Sequence, residues 1–152
     1  MEAQIQHIIY FNKPIDHVFD YLTTLSHWAK WHPATICVSG QTEQPAQKGD
    51  KVSETVKTAG IKGNVSWIVT ACQRPRFWAM EIMSLSMPFF KKVKITISYA
   101  LTPKNGGTEL TRCFSYRLPS MFLRFINTVY FRHHLESESD RALNRLKELI
   151  EE

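Results

Sequence analysis

At 152 residues, with 43% hydrophobic and 22% charged side chains, the chain is long enough for one domain that buries about 70% of its unfolded surface, and its balance excludes a disordered or fibrous protein. The formal charge of +5 is scattered, with Lys91, Lys92 and Lys94 the compact group, so a solvated sheet edge is expected rather than the basic stripe of a nucleic-acid-binding face. Cys37, Cys72 and Cys113 are odd in number and widely spaced in apolar or alternating stretches, which predicts buried reduced thiols rather than a disulfide framework or a zinc site.

The start, Met1 to His7, lacks the charged and apolar runs of an export signal, and no uncharged window reaches membrane-spanning length, so a cytoplasmic protein is expected. Residues 4–11 are β-favouring and stop at Asn12-Lys13-Pro14, where proline suits a first helical turn. Ile15, Val18, Phe19 and Leu22 then recur at helical spacing, with Asp16 near the positive end of the dipole, predicting an amphipathic helix over about 14–23. Leu25 to Pro33 carries Trp28 and Trp31 three residues apart and ends at proline, a second short helix.

From residue 50 to 118 the period switches to two. Val93, Ile95, Ile97, Tyr99 and Leu101 alternate with polar or small residues, and so do Val52, Glu54 and Val56; Val65, Trp67 and Val69; and Leu110, Arg112, Phe114 and Tyr116. An antiparallel meander follows. Trp78, Met80 and Ile82 alternate with Phe77, Ala79, Glu81 and Met83, a pattern that leaves the inward face of that strand open. Turns are expected at Ala59-Gly60 with Gly63, at Arg74-Pro75, at Met87-Pro88 and at Asn105-Gly106-Gly107. After Pro119 there is no Gly or Pro for 33 residues, while Phe122, Phe125, Ile126, Val129, Leu135, Ala142, Leu143, Leu146, Leu149 and Ile150 sustain a helical period. One long helix is predicted, apolar nearly all round in its first half and polar from Glu136 to Asp140.

The expected fold is α+β: a curved antiparallel sheet of about seven strands wrapped around a long C-terminal helix, with two short helices after the first strand, in a single domain over 1–152. A strongly curved sheet around one helix does not fill its own interior easily, and a cavity follows. Pro14 to Leu22, Trp28 to Pro33, Gly49 to Thr55, Gly107 to Arg112 and Leu143 to Lys147 carry, in that order, a resemblance to the START-like superfamily. This is the helix-grip or Bet v 1-like fold, and the chain looks most like its bacterial polyketide cyclase/dehydrase-like proteins. The resemblance implies a hydrophobic pocket between sheet and helix for a lipid, sterol, polyketide, quinone or other aromatic. The family holds both enzymes and pure binders, so it leaves catalysis open.

If Ile95, Ile97 and Tyr99 face inward, equal parity turns Glu54, Trp67, Arg112, Phe114 and Tyr116 inward too. Buried Glu54 and Arg112 are then expected to meet each other, a polar ligand group or trapped water, unless a bulge shifts the parity. These residues with Ile97, Tyr99, and Phe125 and Val129 of the long helix form the expected ligand-binding set. Trp28 and Trp31 are expected to anchor the short helices. His134 and Glu138 have the i,i+4 spacing of two metal ligands, beside His133 and Glu136, but nothing completes a coordination sphere, so a solvated helix stretch and no metal are expected. No nucleotide loop or nucleophile elbow occurs, and no cofactor is expected.

Two function classes remain. A carrier or sensor of an apolar small molecule needs no catalytic residue, whereas a cyclase or dehydratase would use Glu54 or a tyrosine to move a proton. A third reading takes Phe122 to Phe131, with Arg124 and Arg132, as a face that docks a protein or a membrane surface.

Overall fold

The computed structural model describes residues 2–40, 42–58, 60–86, 93–117, 130 and 132–152. The chain runs β1 (Glu2–Phe11), α1 (Ile15–Thr23), a 3-10 turn (Leu25–His27), α2 (Trp28–Trp31), β2 (Thr35–Gly40), β3 (Lys51–Thr58), β4 (Ile61–Gln73), β5 (Phe77–Ser86), β6 (Lys94–Lys104), β7 (Gly107–Arg117) and α3 (Arg132–Glu151). Seven antiparallel strands lie in the order β1-β7-β6-β5-β4-β3-β2. The meander is thus uninterrupted from β2 to β7, and β1 closes against the last strand. This is the helix-grip arrangement.

Strand β2 was not marked by the period-two signal. It is a short edge strand with a bulge between Thr35 and Cys37, and the bulge breaks the alternation that reveals a longer strand. Gly63, expected in a turn, lies instead inside β4 opposite Val56, and the turn falls at Gly60. The Asn105-Gly106 turn is a tight one. Both residues take positive φ, 50° and 80°, and Lys104 pairs with Gly107 across a two-residue loop, the twist that matches right-handed strands. Gly107 is needed for another reason: a Cβ there would collide with the Phe11 carbonyl oxygen and the Tyr10 hydroxyl of neighbouring β1.

The core lies on the concave side. Phe11, Val18, Phe19, Leu22, Trp78, Leu110 and Leu146 are buried between the sheet, α1 and α3. On α3, Leu135, Glu138, Ser139, Ala142, Leu143, Leu146 and Ile150 are the buried positions, a continuous stripe at helical spacing. Helix α1 is tied to the β4–β5 turn by Arg74, which donates from Nε and Nη2 to the Asp20 carboxylate at 3.0 and 2.8 Å.

The cysteines are free thiols, but their expected burial is corrected. Cys37 is exposed beyond the β2 bulge, and Cys72 and Cys113 are half-buried. Cys113 sits between Arg112 and Phe114 on β7, so its parity turns it to the outer face of the sheet. The turn at Met87-Pro88 and the helical pattern over 118–129 and 131 lie outside the described residues, so the predicted long helix is described only as α3. Among the described residues no helix is long and apolar enough to cross a membrane.

Candidate functional site

Beneath the sheet, α2, β2 to β7 and α3 line a cavity of about 110 Å³. That is several times the space one water needs. Its walls are largely aliphatic and aromatic, and the inward positions of β4 to β7 supply Trp67, Met80, Ile97, Phe114 and Tyr116 among them. The face left open on β5 is now resolved. Trp78 and Met80 point into the core, and a bulge at Met83 resets the parity so that Leu85, rather than Ser84, reaches the cavity.

Glu54, Trp67, Ile97, Tyr99, Arg112, Phe114 and Tyr116 all line this one space. Phe125 and Val129 lie outside the described residues. Of the apolar run from Phe122 to Phe131 only Tyr130 is described; it is exposed and stacks on His134 with ring centroids 6.2 Å apart.

The two buried charges do not form the direct ion pair that was one expectation for them. On the β3–β4 pair Val52 faces Trp67 and Glu54 faces Val65, so Glu54 and Trp67 are diagonal neighbours within reach of long side chains. Trp67 Nε1 donates to Glu54 Oε1 at 2.7 Å, and Thr35 Oγ1 donates to Oε2 at 2.9 Å. Thr35 Oγ1 also lies 3.2 Å from His32 Nδ1. A chain of hydrogen bonds therefore runs Trp67, Glu54, Thr35, His32. With Glu54 ionised, the Thr35 proton points to the carboxylate and His32 Nδ1 donates to Thr35; with Glu54 protonated at Oε2, the direction reverses and His32 changes tautomer.

Burial governs both ends of this chain. It pushes the Glu54 carboxyl up to about 7, against the lowering pull of Trp67, Thr35 and Arg112. It pushes the His32 ring down to about 3, helped by the Arg112 charge. Glu54 is thus a carboxyl poised near neutrality and His32 a neutral imidazole.

Arg112 forms a second polar pole. It is 2% exposed, donates from Nε to the Tyr99 hydroxyl across the β6–β7 pair at 3.2 Å and from Nη1 to Ser139 Oγ of α3. Its guanidinium lies 5.6 Å from the Phe114 ring centroid and 5.9 Å from that of Tyr99. Trp31 Nε1 is a further buried donor, without a hydrogen-bond partner among the described residues.

The structure adds residues that the sequence pattern left out. Glu138 was assigned to a solvated stretch, but it is 7% exposed, lines the cavity beside Ser139 and meets His134 Nε2 at 3.2 Å. The stripe of Leu135, Ala142 and Leu146 already places 138 and 139 on the inner helix face; the acidic composition masked it. His32 and Thr35 carried no periodic signal because they flank the α2–β2 connection. Trp28 and Trp31 do more than anchor, since both reach the cavity wall.

A family model described as polyketide cyclase / dehydrase and lipid transport matches residues 2–151. Among solved structures, the Zhui aromatase/cyclase from a Streptomyces species superimposes with TM-score 0.77 at 16% identity, covering 99% of this chain and 94% of that one. TTHA0849 from Thermus thermophilus gives TM-score 0.77 at 11% identity, covering 97% of each chain. Major latex-like protein 151 from Panax ginseng gives 0.72 at 14% identity, covering 98% and 97%. At these identities the likeness is one of fold. No curated protein matches in sequence.

Proposed function

Since the chain belongs to the polyketide cyclase/dehydrase and lipid transport family, whose fold binds hydrophobic ligands, we propose that it is a carrier or sensor holding one apolar small molecule in the cavity under its sheet. The ligand is of the lipid, quinone or aromatic polyketide type. The observation that carries this reading is the cavity itself, walled largely by apolar side chains such as Trp67, Met80, Ile97 and Phe114, with a few polar groups, Glu54, Arg112 and Glu138 among them. Such a site desolvates an apolar body and fixes its orientation at a few points, the usual composition of a small-molecule site. Free thiols accord with action in the cytoplasm.

The test is a thermal-shift panel of long-chain lipids, quinones and planar polyphenols, read beside native mass spectrometry. A one-to-one complex that raises the melting temperature supports the reading. An unmoved melting temperature across the panel, with no complex in the spectrum, contradicts it.

One observation favours a second reading, a cyclase or dehydratase. The Glu54–Thr35–His32 chain offers a carboxyl near neutrality with a route for its proton, the property a general acid or base needs. On that reading Glu54→Gln retains binding and loses turnover of a poly-β-keto substrate. Unchanged turnover in that variant removes Glu54 from the chemistry.

A further inference from the structure

Most of the cavity is apolar, but its donors and acceptors are out of balance. Arginine carries five N–H donors. Two of those on Arg112 are engaged, one by Tyr99 and one by Ser139, and neither acceptor brings a negative charge. The other three N–H groups, both on Nη2 among them, have no hydrogen-bond partner among the described residues. Two carboxylates share the cavity wall, yet neither comes within ion-pair distance of the guanidinium: Glu54 is held by Trp67 and Thr35, and Glu138 lies against His134.

A guanidinium largely withdrawn from bulk solvent, at 2% residue exposure, and flanked among the described residues by two rings and two hydroxyls is a costly group. The ring faces attract it, though by less than the hydration it has given up. The unpartnered Trp31 N–H, buried in a side chain that also lines the cavity, adds to the same surplus. What the guanidinium lacks, among the described residues, is a negatively charged acceptor within hydrogen-bond reach.

We propose that the ligand is an apolar carboxylic acid bound as its anion, with the carboxylate on the free N–H groups of Arg112 and the hydrocarbon or aromatic body against Trp67, Ile97 and Phe114. This deepens the binding reading and rests on it. The Tyr99 and Ser139 hydroxyls hold the guanidinium in place, so the fork meets its ligand preorganised, the geometry in which arginine recognises carboxylates. The same fixed orientation sets the ligand's polarity, head at the β7–α3 seam and tail toward β3 and β4. A neutral alcohol or ester of equal size fills the apolar walls but leaves the charge unanswered, and discriminates accordingly.

The full chain is loaded with the neutral fluorophore N-phenyl-1-naphthylamine at about pH 6, where Glu54 is still mostly protonated and a carboxylic acid ligand is ionised. It is then titrated with 2-naphthoate, or with 2-naphthalenemethanol of nearly equal size. The expected result is displacement by the acid at roughly one tenth the concentration or less, the factor a charge-assisted hydrogen bond supplies. Equal displacement by acid and alcohol overturns the anion assignment while leaving the binding reading standing. A fluorophore that never binds, with no displacement by either compound and no thermal shift, removes both. Arg112→Met is expected to bring acid and alcohol within about twofold of each other, and Arg112→Lys to keep part of the preference. A full preference in folded Arg112→Met moves the anion away from Arg112. The wild-type comparison decides the ligand class even where a variant does not fold.

Discussion

Glu54 and His32 make a prediction about stability whose sign is opposite to that of an ordinary salt-bridged acid. Burial raises the Glu54 carboxyl from 4.5 to about 7, so the folded state holds that proton more tightly than the unfolded chain does. Its contribution is therefore most favourable below pH 4.5 and is lost as pH rises toward about 7. The distance from 4.5 to about 7 corresponds to about 3 kcal/mol, fully felt above the higher value.

His32 works the other way. Its ring falls from 6.5 to about 3, so its contribution is complete above 6.5 and is lost as pH falls. Between 4.5 and 6.5 the folded protein keeps one proton on Glu54 and none on His32, while the unfolded chain does the reverse. The two slopes cancel, and the wild-type contribution from this pair is flat. Glu54→Gln keeps the shape and the Trp67 hydrogen bond but removes the titration. Urea midpoints across pH should then show the variant gaining on the wild type by about 3 kcal/mol from about pH 4 to about pH 8. The variant alone becomes steadily more stable as pH rises toward 6.5, with the His32 slope uncovered. A variant-minus-wild-type difference that does not change with pH refutes the reasoning, because Glu54 would then titrate as an exposed carboxyl.

Other expectations come from single residues. Arg112→Met should leave the unliganded protein as stable as the wild type or about 1–2 kcal/mol more so, whereas a well-paired buried arginine would lose about 3–5 kcal/mol on removal, so denaturation midpoints separate the two. Trp67→Phe removes the donor to Glu54 Oε1 and should raise the Glu54 midpoint further, by about one pH unit, seen by carbon NMR of its carboxyl. Affinity for an apolar carboxylate should fall as pH rises through about 7, since Glu54 then becomes a second anion on the same cavity wall; calorimetry at two pH values reads it, and constant affinity contradicts it. Gly107→Ala should cost about 1–3 kcal/mol by thermal denaturation, since its new methyl meets the backbone of β1.

Most of the sheet was legible because its inner face is continuous. On β6 and β7 every second residue from Ile95 to Leu101 and from Thr108 to Tyr116 points inward, so period two fixed both the strands and the parity of Tyr99 and Arg112. The pattern failed where the backbone departs from the pleat. The bulge at Ile36 hid β2, and the bulge at Met83 made the two faces of β5 indistinguishable from sequence.

The site was legible only as far as parity reaches. Alternation brought Glu54, Trp67 and Arg112 to one side, but which hydrogen bonds they make depends on residues that no period relates to them. His32 and Thr35 lie at the two ends of the α2–β2 connection, and Ser139 on a helix, more than twenty residues after the end of β7. The contrast at Glu138 is instructive, because the apolar stripe of α3 predicts its burial while its charge argues for solvent. A buried acid on an inner stripe is a better pointer to a cavity than composition alone.

The central claim is that the space under the sheet is occupied by a small molecule. Native mass spectrometry of protein purified from its own host, followed by denaturing extraction of whatever accompanies it, tests this most directly. The account predicts a one-to-one complex that releases an apolar molecule bearing a carboxylate. A chain that arrives empty and stays empty when offered naphthoate, long-chain acids and quinones contradicts it.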